Sequence, residues 1–168
     1  MTLETLLNID PYDWSSIGTA IACGAIIGTE RQLRGKPVGI RTAALITLGT
    51  YLFLATTFLI KGNVNDPSRV VGQIITGIGF LGAGVMLTKD GAVMGVTSAA
   101  TIWVLAAIGI MIATDHQEAA IKLSVLVVII LYGVSLLEEH TKALSRGVHA
   151  TVKRYSRSNN KHTHTKTD

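Results

Sequence analysis

Long apolar segments separated by short charged intervals dominate this sequence and restrict the folds that it can adopt. A helix needs about 20 apolar residues to cross a bilayer core of about 30 Å. Segments that approach this length cover residues 15–29, 42–60, 70–87, 92–113 and 119–137. We therefore predict an all-α polytopic membrane protein with about five transmembrane helices in residues 1–140, followed by a basic, polar and largely disordered cytoplasmic tail in residues 141–168.

The placement of Lys and Arg predicts the orientation of these helices. Bases in short loops remain on the cytoplasmic side of a membrane. No base precedes the first apolar segment, four lie between the first and second segments, and seven follow the fifth. With the N-terminus outside, 12 of the 15 bases become cytoplasmic. We therefore predict an external N-terminus and a cytoplasmic C-terminus.

Glycines are unusually frequent in the third apolar segment, where residues 77–86 read GIGFLGAGVM. Glycine costs a helix about 1 kcal/mol relative to alanine, but small residues allow membrane helices to approach closely. The spacing predicts a helix-packing surface, or alternatively a bend, made by Gly72, Thr76, Gly77, Gly79, Gly82, Ala83 and Gly84. The first segment repeats the pattern with Gly18, Ala22, Ala25 and Thr29, and it adds the pair Gly24 and Gly28. Trp103 is predicted to pack between helices.

The stretch GTERQLRGKPVGIRT, residues 28–42, is the first of three polar clusters. A carboxylate at the hydrocarbon edge is costly and normally pairs with a base. We predict that Glu30 pairs with Arg41; Arg34, four residues after Glu30 on the same helix face, is the alternative partner. Anchoring of the helix ends by the bases is the other interpretation of this stretch.

Two further clusters follow along the chain. In NDPSR, residues 65–69, Asp66 before Pro67 predicts a helix N-cap; the alternative is that Asp66 and Arg69 form an external contact. In KDGAVMGVTSAATIW, residues 89–103, hydroxyl side chains enter a predicted helix and are expected to bond their own backbone. The candidate polar residues are together Glu30, Arg31, Lys36, Arg41, Thr42, Asp66, Arg69, Gln73, Thr97 and Ser98.

Several chemical functions find no support in these clusters. Mg²⁺ prefers oxygen ligands, but Glu30, Asp66 and Asp90 are divided between the two sides by the predicted topology, so we expect no metal site and no cofactor. Binding of Mg²⁺ is the alternative, although no cluster of ligands supports it. No nucleophile has a paired base and no H-E-x-x-H motif occurs, so we expect no enzymatic activity. No nucleic-acid recognition module accompanies the basic tail.

The sequence resembles the MgtC/SapB family of bacterial inner-membrane proteins. The pieces that carry the resemblance are GTERQLRGKPVGIRT, DPSRVVGQIITGIGFLGAGVML and GVTSAATIWVLAAIGI, in order over residues 15–137. The resemblance implies a multi-pass inner-membrane protein with a role in adaptation to low Mg²⁺ that regulates other membrane proteins. The F-type ATP synthase is a partner proposed for virulence members of the family, and we also expect a homo-oligomer, specifically a dimer.

The chain departs from longer family members after residue 137. Those members carry a cytoplasmic ACT-like domain, whereas the residues after Leu137 are too few and too polar for such a core. The expected function is therefore a regulator that acts through helix contacts within the membrane. The alternative is a transporter or channel for Mg²⁺ or another ion, with Glu30, Gln73 and Thr97 along its path.

Overall fold

The computed structural model describes residues 8–60, 66–89 and 92–140. Within these residues the fold consists of helices and one short hairpin, which agrees with the predicted helical class. The elements in chain order are α1 (Trp14–Leu33), α2 (Ile40–Leu59), α3 (Pro67–Gly84), β1 (Leu87–Lys89), β2 (Ala92–Met94), α4 (Val96–Ala113) and α5 (Gln117–His140). The predicted tail, residues 141–168, lies outside the described residues.

Two aspartates determine where α1 and α3 begin. The first backbone N–H groups of a helix have no partner within it, and a side-chain oxygen at the N-cap can accept from one of them. Asp13 accepts from the Ser16 N–H at 2.7 Å at the start of α1. Asp66 accepts from the Ser68 N–H at 2.9 Å, and Pro67 occupies the first helical position. The predicted N-cap at Asp66 is therefore confirmed.

The core lies among α1, α2 and α4, which contribute most of the fully buried side chains. Ile27, Leu54, Leu105 and Ile108 are among its largest members. α3 packs mainly against α4, and α5 packs mainly against α1. Four buried hydroxyls each donate to the carbonyl oxygen four residues earlier, as expected of hydroxyls within a helix: Thr47, Thr57, Thr101 and Ser124.

The connection between α3 and α4 differs from the prediction. The apolar pattern predicted helices over residues 70–87 and 92–113, but α3 ends at Gly84 and α4 begins only at Val96. Between them, β1 and β2 pair antiparallel, with Leu87 opposite Met94. Short apolar runs do not distinguish helix from strand by periodicity. Gly95 then enters α4 with φ of 89°, a left-handed conformation that favours glycine.

Three of the helices are long and apolar enough, by length and composition, to cross a membrane: Ile40–Leu59, Val96–Ala113 and Gln117–Leu137. The prediction of five spans is thus supported for α2, α4 and α5. α1 and α3 have comparable lengths of 20 and 18 residues. Their lower apolarity has a plain cause, since α1 includes Glu30 and Arg31, and α3 includes Arg69, Gln73 and several glycines.

Glycines bring α1 into close contact with α2. A Cβ added at Gly24 would lie 2.6 Å from the Ala44 Cα, and one at Gly28 would lie 2.6 Å from the Ile40 Cα. Gly109 of α4 approaches α2 in the same way, since an added Cβ would lie 2.6 Å from the Thr47 backbone oxygen. At each of these three glycines two helices of the chain approach closely. Close approach at small residues stabilises helix pairs in lipid.

Most of the small-residue surface predicted on α3 has no neighbour among the described residues. Within them, added Cβ atoms at Gly72, Gly77, Gly79 and Gly84 would meet nothing within 4 Å, and Thr76 and Ala83 are exposed. Only Gly82 faces a neighbour, with Ala99 of α4 at 3.6 Å. Ile74, Ile78 and Gly82, spaced four residues apart, are the positions that α3 buries. The glycine stripe therefore lies on the side of α3 that the described helices leave uncovered.

Trp103 also differs from its prediction. Its side chain lies on the outside of α4 and is 53% exposed, whereas Ile102 beside it is buried. Neighbouring positions on a helix are about 100° apart, so a core position at Ile102 directs Trp103 away from the core. We conclude that Trp103 does not pack between the described helices.

The Asp13 cap gives a pH-dependent prediction. The hydrogen bonds from Ser16 lower the pKa of the Asp13 carboxyl below its ordinary value. A lowered pKa in the folded state means that the charged cap stabilises the fold above the ordinary pKa of about 3.9 and that this contribution is lost as pH falls through the folded-state value. We expect Asp13→Ala to lower thermal stability at pH 7 by about 1 kcal/mol.

Thermal unfolding in detergent, measured from pH 7 to pH 3, checks this expectation. The difference between the wild-type and Asp13→Ala melting temperatures should narrow as the solution becomes acidic. Asp13→Asn is the matched control, because an amide oxygen can still accept from Ser16 without carrying charge. A difference that stays constant over this pH range would contradict an ionised cap.

Candidate functional site at the turn between α1 and α2

The turn between α1 and α2 folds back on the end of α1. The Gly35 N–H donates to the Gln32 carbonyl at 3.1 Å, and the Lys36 N–H donates to the Arg31 carbonyl at 2.9 Å. Gly35 has a φ of 61°, which glycine adopts without strain. The Ile40 N–H at the start of α2 donates to the Gln32 side-chain oxygen at 3.2 Å. This one turn therefore provides hydrogen-bond partners both for backbone carbonyl groups at the end of α1 and for a backbone N–H at the beginning of α2.

A buried charge cluster lies directly before this turn. Glu30 is 7% exposed and Arg31 is 4% exposed, which is unusual for charged residues unless they are paired. Arg34 Nε lies 2.8 Å from Glu30 Oε1, and Arg31 Nη1 lies 3.9 Å from Glu30 Oε2. The prediction that Glu30 pairs with Arg41 is therefore wrong, and its alternative, Arg34, is correct.

The reason lies in the helix geometry. α1 continues to Leu33, which places Arg34 one helical turn after Glu30, the spacing at which side chains on a helix face meet. Arg41 belongs to the first turn of α2, where its side chain is exposed. Because α1 continues past Glu30, Glu30 pairs with Arg34 of the same chain segment and not with Arg41 of the second helix.

Hydrogen bonding in the cluster is incomplete. The close approach of Arg34 to Glu30 joins opposite charges without hydrogen-bond alignment, and within the described residues neither Glu30 oxygen accepts a hydrogen bond. Arg31 Nε, also buried, has no acceptor among those residues. Buried charges depend strongly on such bonds. The cluster is consequently held by charge attraction and by contacts with other helices.

Two of these contacts reach distant parts of the chain. Arg31 Nη2 donates to Ser98 Oγ at 2.7 Å, which connects the end of α1 to the first turn of α4. The Arg34 guanidinium lies over the Tyr132 ring of α5, with its central carbon 4.8 Å from the ring centroid, a cation–π distance. Arg31 and Arg34 therefore link α1 to α4 and to α5, respectively.

The structure brings together only part of the predicted set. Glu30, Arg31 and Ser98 form the cluster, while Lys36, Arg41 and Thr42 are exposed on or near the adjoining turn. Asp66 and Arg69 lie at the opposite end of α2 from this turn, where α3 begins. Of the three residues predicted for an ion path, Gln73 and Thr97 are exposed on α3 and α4, whereas Glu30 is buried.

Tyr132 is the member of the cluster that sequence reasoning did not single out. It lies in an apolar segment without a neighbouring charge, so no local pattern indicates its contact with Arg34. The described residues contain no group of three or more His, Cys, Asp or Glu side chains that could hold a metal ion. The site therefore offers guanidinium groups and a tyrosine ring as its principal chemistry.

Nearly all of the helical part of this chain is similar to known proteins. The model of the MgtC family matches residues 17–140. YhiD of Escherichia coli strain K12, provisionally named a magnesium transporter, is 45% identical over 138 residues, which are 78% of this chain and 60% of that protein. Protein MgtC of Salmonella typhimurium is 36% identical over 125 residues, 74% of this chain and 53% of that protein.

Protein MgtC of Brucella abortus is 38% identical over 105 residues, which are 58% of this chain and 44% of that protein. The matches thus span roughly half the length of these curated relatives. No solved structure matches this chain.

Proposed function

This chain belongs to the MgtC family, and we propose from this premise that it acts in bacterial adaptation to low Mg²⁺ as a regulator of other membrane proteins. Three of its helices are long and apolar enough to cross a membrane, and the bacterial inner membrane is its proposed location. Regulation would operate through helix contacts within the bilayer and would involve no enzymatic reaction. A second copy of the chain and another membrane protein, of which ATP synthase is one candidate, are the proposed partners.

The uncovered face of α3 is the observation that supports this proposal. Gly72, Gly77 and Gly79 leave room beside their backbone, and Phe80 next to them is 79% exposed. In lipid, a helix surface of small residues is one against which another helix can pack closely. The same face carries the exposed side chain of Gln73. Within a bilayer, a hydrogen bond from the Gln73 amide to a side chain on an opposing helix would stabilise the contact between the two helices.

The architecture that we propose for this function has five spans, with an external N-terminus and a cytoplasmic C-terminus, in a membrane domain over residues 1–140. α1 and α3 are then spans as well, and the charge cluster lies at the cytoplasmic boundary. Lys36 and Arg69 are exposed near opposite ends of α2 and serve as probes of orientation.

Labelling of intact cells tests the orientation. In a Cys23→Ala background, Arg69→Cys should react with an impermeant maleimide from outside, because the charge distribution places the start of α3 there. Lys36→Cys should react only after the membrane is permeabilised. The reverse labelling pattern would show that the proposed topology is inverted.

Photocrosslinking in native membranes tests the contact surface. With p-benzoylphenylalanine in place of Phe80, we expect crosslinked adducts of defined mass. The same substitution at Phe53 of α2, which is 69% exposed, is the matched control and should give no defined adduct. Adducts at twice the chain mass would identify a second copy, and adducts of any other defined mass would identify a different protein. Absence of any defined adduct at Phe80 would refute the proposed surface.

Ion transport is the second candidate function, and the name given to YhiD favours it. The test is flux through purified protein in liposomes, with Mg²⁺ as the transported ion and protein-free liposomes as the control. We expect no saturable flux above the control. Saturable Mg²⁺ flux would establish transport and remove the basis for the regulatory proposal.

A further inference from the structure

We propose that Arg34, fixed by Glu30 and Tyr132, is the centre of a binding site for a phosphate-bearing anion where the C-terminal end of α1 packs against α5. The chemistry is that of a phosphate group, which an anionic phospholipid headgroup or free inorganic phosphate could provide. This inference concerns the charge cluster and is independent of the proposed regulatory function and of the α3 face.

Preorganisation of Arg34 is the first argument. Glu30 Oε1 lies 2.8 Å from its Nε, and the Tyr132 ring lies beneath its guanidinium at 4.8 Å. These contacts restrict the side chain from two directions, so binding would cost little additional conformational entropy. The guanidinium carries five N–H donors in a planar fork. Within the described part of the chain, its Nη groups have no acceptor, and its side chain is 23% exposed.

The charge balance around Arg34 is the second argument. The segment from residue 30 to residue 41 has one carboxylate, Glu30, against four bases: Arg31, Arg34, Lys36 and Arg41. Glu30 already contacts two of these bases, so it cannot neutralise the remainder. Arg31 Nε adds a buried donor that has no acceptor among the described residues. The net charge of this segment is therefore positive, and a positive net charge favours an anion as the ligand.

The groups around the cation are the third argument. Leu33, next to Arg34 in the chain, is 82% exposed, and Tyr132 is 52% exposed. An exposed aromatic ring against a positioned guanidinium suits an amphiphile whose phosphate binds Arg34 and whose acyl chain follows the helices. Basic sites between membrane helices bind headgroups in this manner. Arginine binds phosphate through two parallel hydrogen bonds, which a lysine cannot reproduce.

Lipid binding to the purified full-length chain in detergent, measured by native mass spectrometry, tests the proposal. The probes are phosphatidylglycerol, phosphatidylcholine and inorganic phosphate. We expect tighter binding of phosphatidylglycerol than of phosphatidylcholine. Arg34→Gln should weaken phosphatidylglycerol binding at least tenfold, and Tyr132→Leu should weaken it severalfold because the ring no longer positions the guanidinium. Lys122→Gln, which removes an exposed base elsewhere on α5, is the matched control and should have no effect.

A second variant keeps the test decisive if Arg34→Gln does not fold. Arg34→Lys retains the charge next to Glu30 but loses the planar fork, so it should bind phosphatidylglycerol several times more weakly than the wild type. Competition by millimolar inorganic phosphate would identify free phosphate as a ligand of the same site, and its absence would assign the site to the lipid headgroup. Equal phosphatidylglycerol affinities for the wild type, Arg34→Lys and Lys122→Gln would overturn the proposal.

Discussion

Gly24→Ala and Gly28→Ala should each destabilise the protein strongly, although alanine is the better helix former. The added methyl group would lie 2.6 Å from a backbone Cα atom of α2, either that of Ala44 or that of Ile40. Backbone atoms cannot move aside as a flexible side chain can, so the two helices must separate. Overpacking of this kind costs about 1–3 kcal/mol or more. Thermal unfolding in detergent, monitored by circular dichroism, should show melting temperatures well below that of the wild type.

Gly18→Ala is the matched control for this prediction, because it places the same methyl group on the same helix. An added Cβ at Gly18 meets nothing within 4 Å among the described residues. Gly18→Ala should retain the wild-type melting temperature or exceed it slightly. If Gly18→Ala lowers the melting temperature as much as Gly24→Ala does, then the effect does not come from the contact between α1 and α2.

Glu30→Gln should also destabilise the protein, by about 3–5 kcal/mol. It removes the only carboxylate of the described charge cluster and leaves Arg31, which is 4% exposed, without its counter-charge. Removal of one member of a buried ion pair has a cost of this order because the remaining charge stays desolvated. Arg34→Gln should be destabilising too. The double variant should lose less stability than the sum of the two single variants, since the ion pair is lost only once.

The measurements on Glu30 and Arg34 form a double-mutant cycle, and a second cycle with Arg41 in place of Arg34 is the comparison. Arg41 is exposed and does not contact Glu30, so Glu30→Gln and Arg41→Gln should add to within about 0.3–0.5 kcal/mol. The free energies of unfolding of the single and double variants, determined by denaturant titration under one set of detergent conditions, decide between the pairs. Coupling of Glu30 with Arg41, together with additivity with Arg34, would contradict the geometry of the cluster.

Features that depend on local chain chemistry could be predicted from the sequence. Apolar segment length gave the helical membrane class, because the bilayer core requires it of any spanning helix. The N-cap at Asp66 followed from an aspartate before a proline. The pairing of Glu30 with Arg34 was available as an alternative, since a spacing of four residues places them on one helix face whatever the remainder of the fold does. In each case the interacting groups lie within one or two helical turns.

Features that depend on which helices become neighbours were decided only by the tertiary structure. α1 and α3 carry small residues at the same spacing, yet this stripe stays open on both helices: among the described residues, an added Cβ at Gly18, Gly72 or Gly79 would meet nothing within 4 Å. The glycines of α1 that do pack against α2 are the separate pair Gly24 and Gly28. A stripe of glycines indicates that another helix can approach closely, but it does not indicate which helix does so. The contacts of Arg31 with Ser98 and of Arg34 with Tyr132 join segments far apart in sequence. Those contacts exist because the packing of α4 and α5 against α1 brings their side chains to the same end of the bundle.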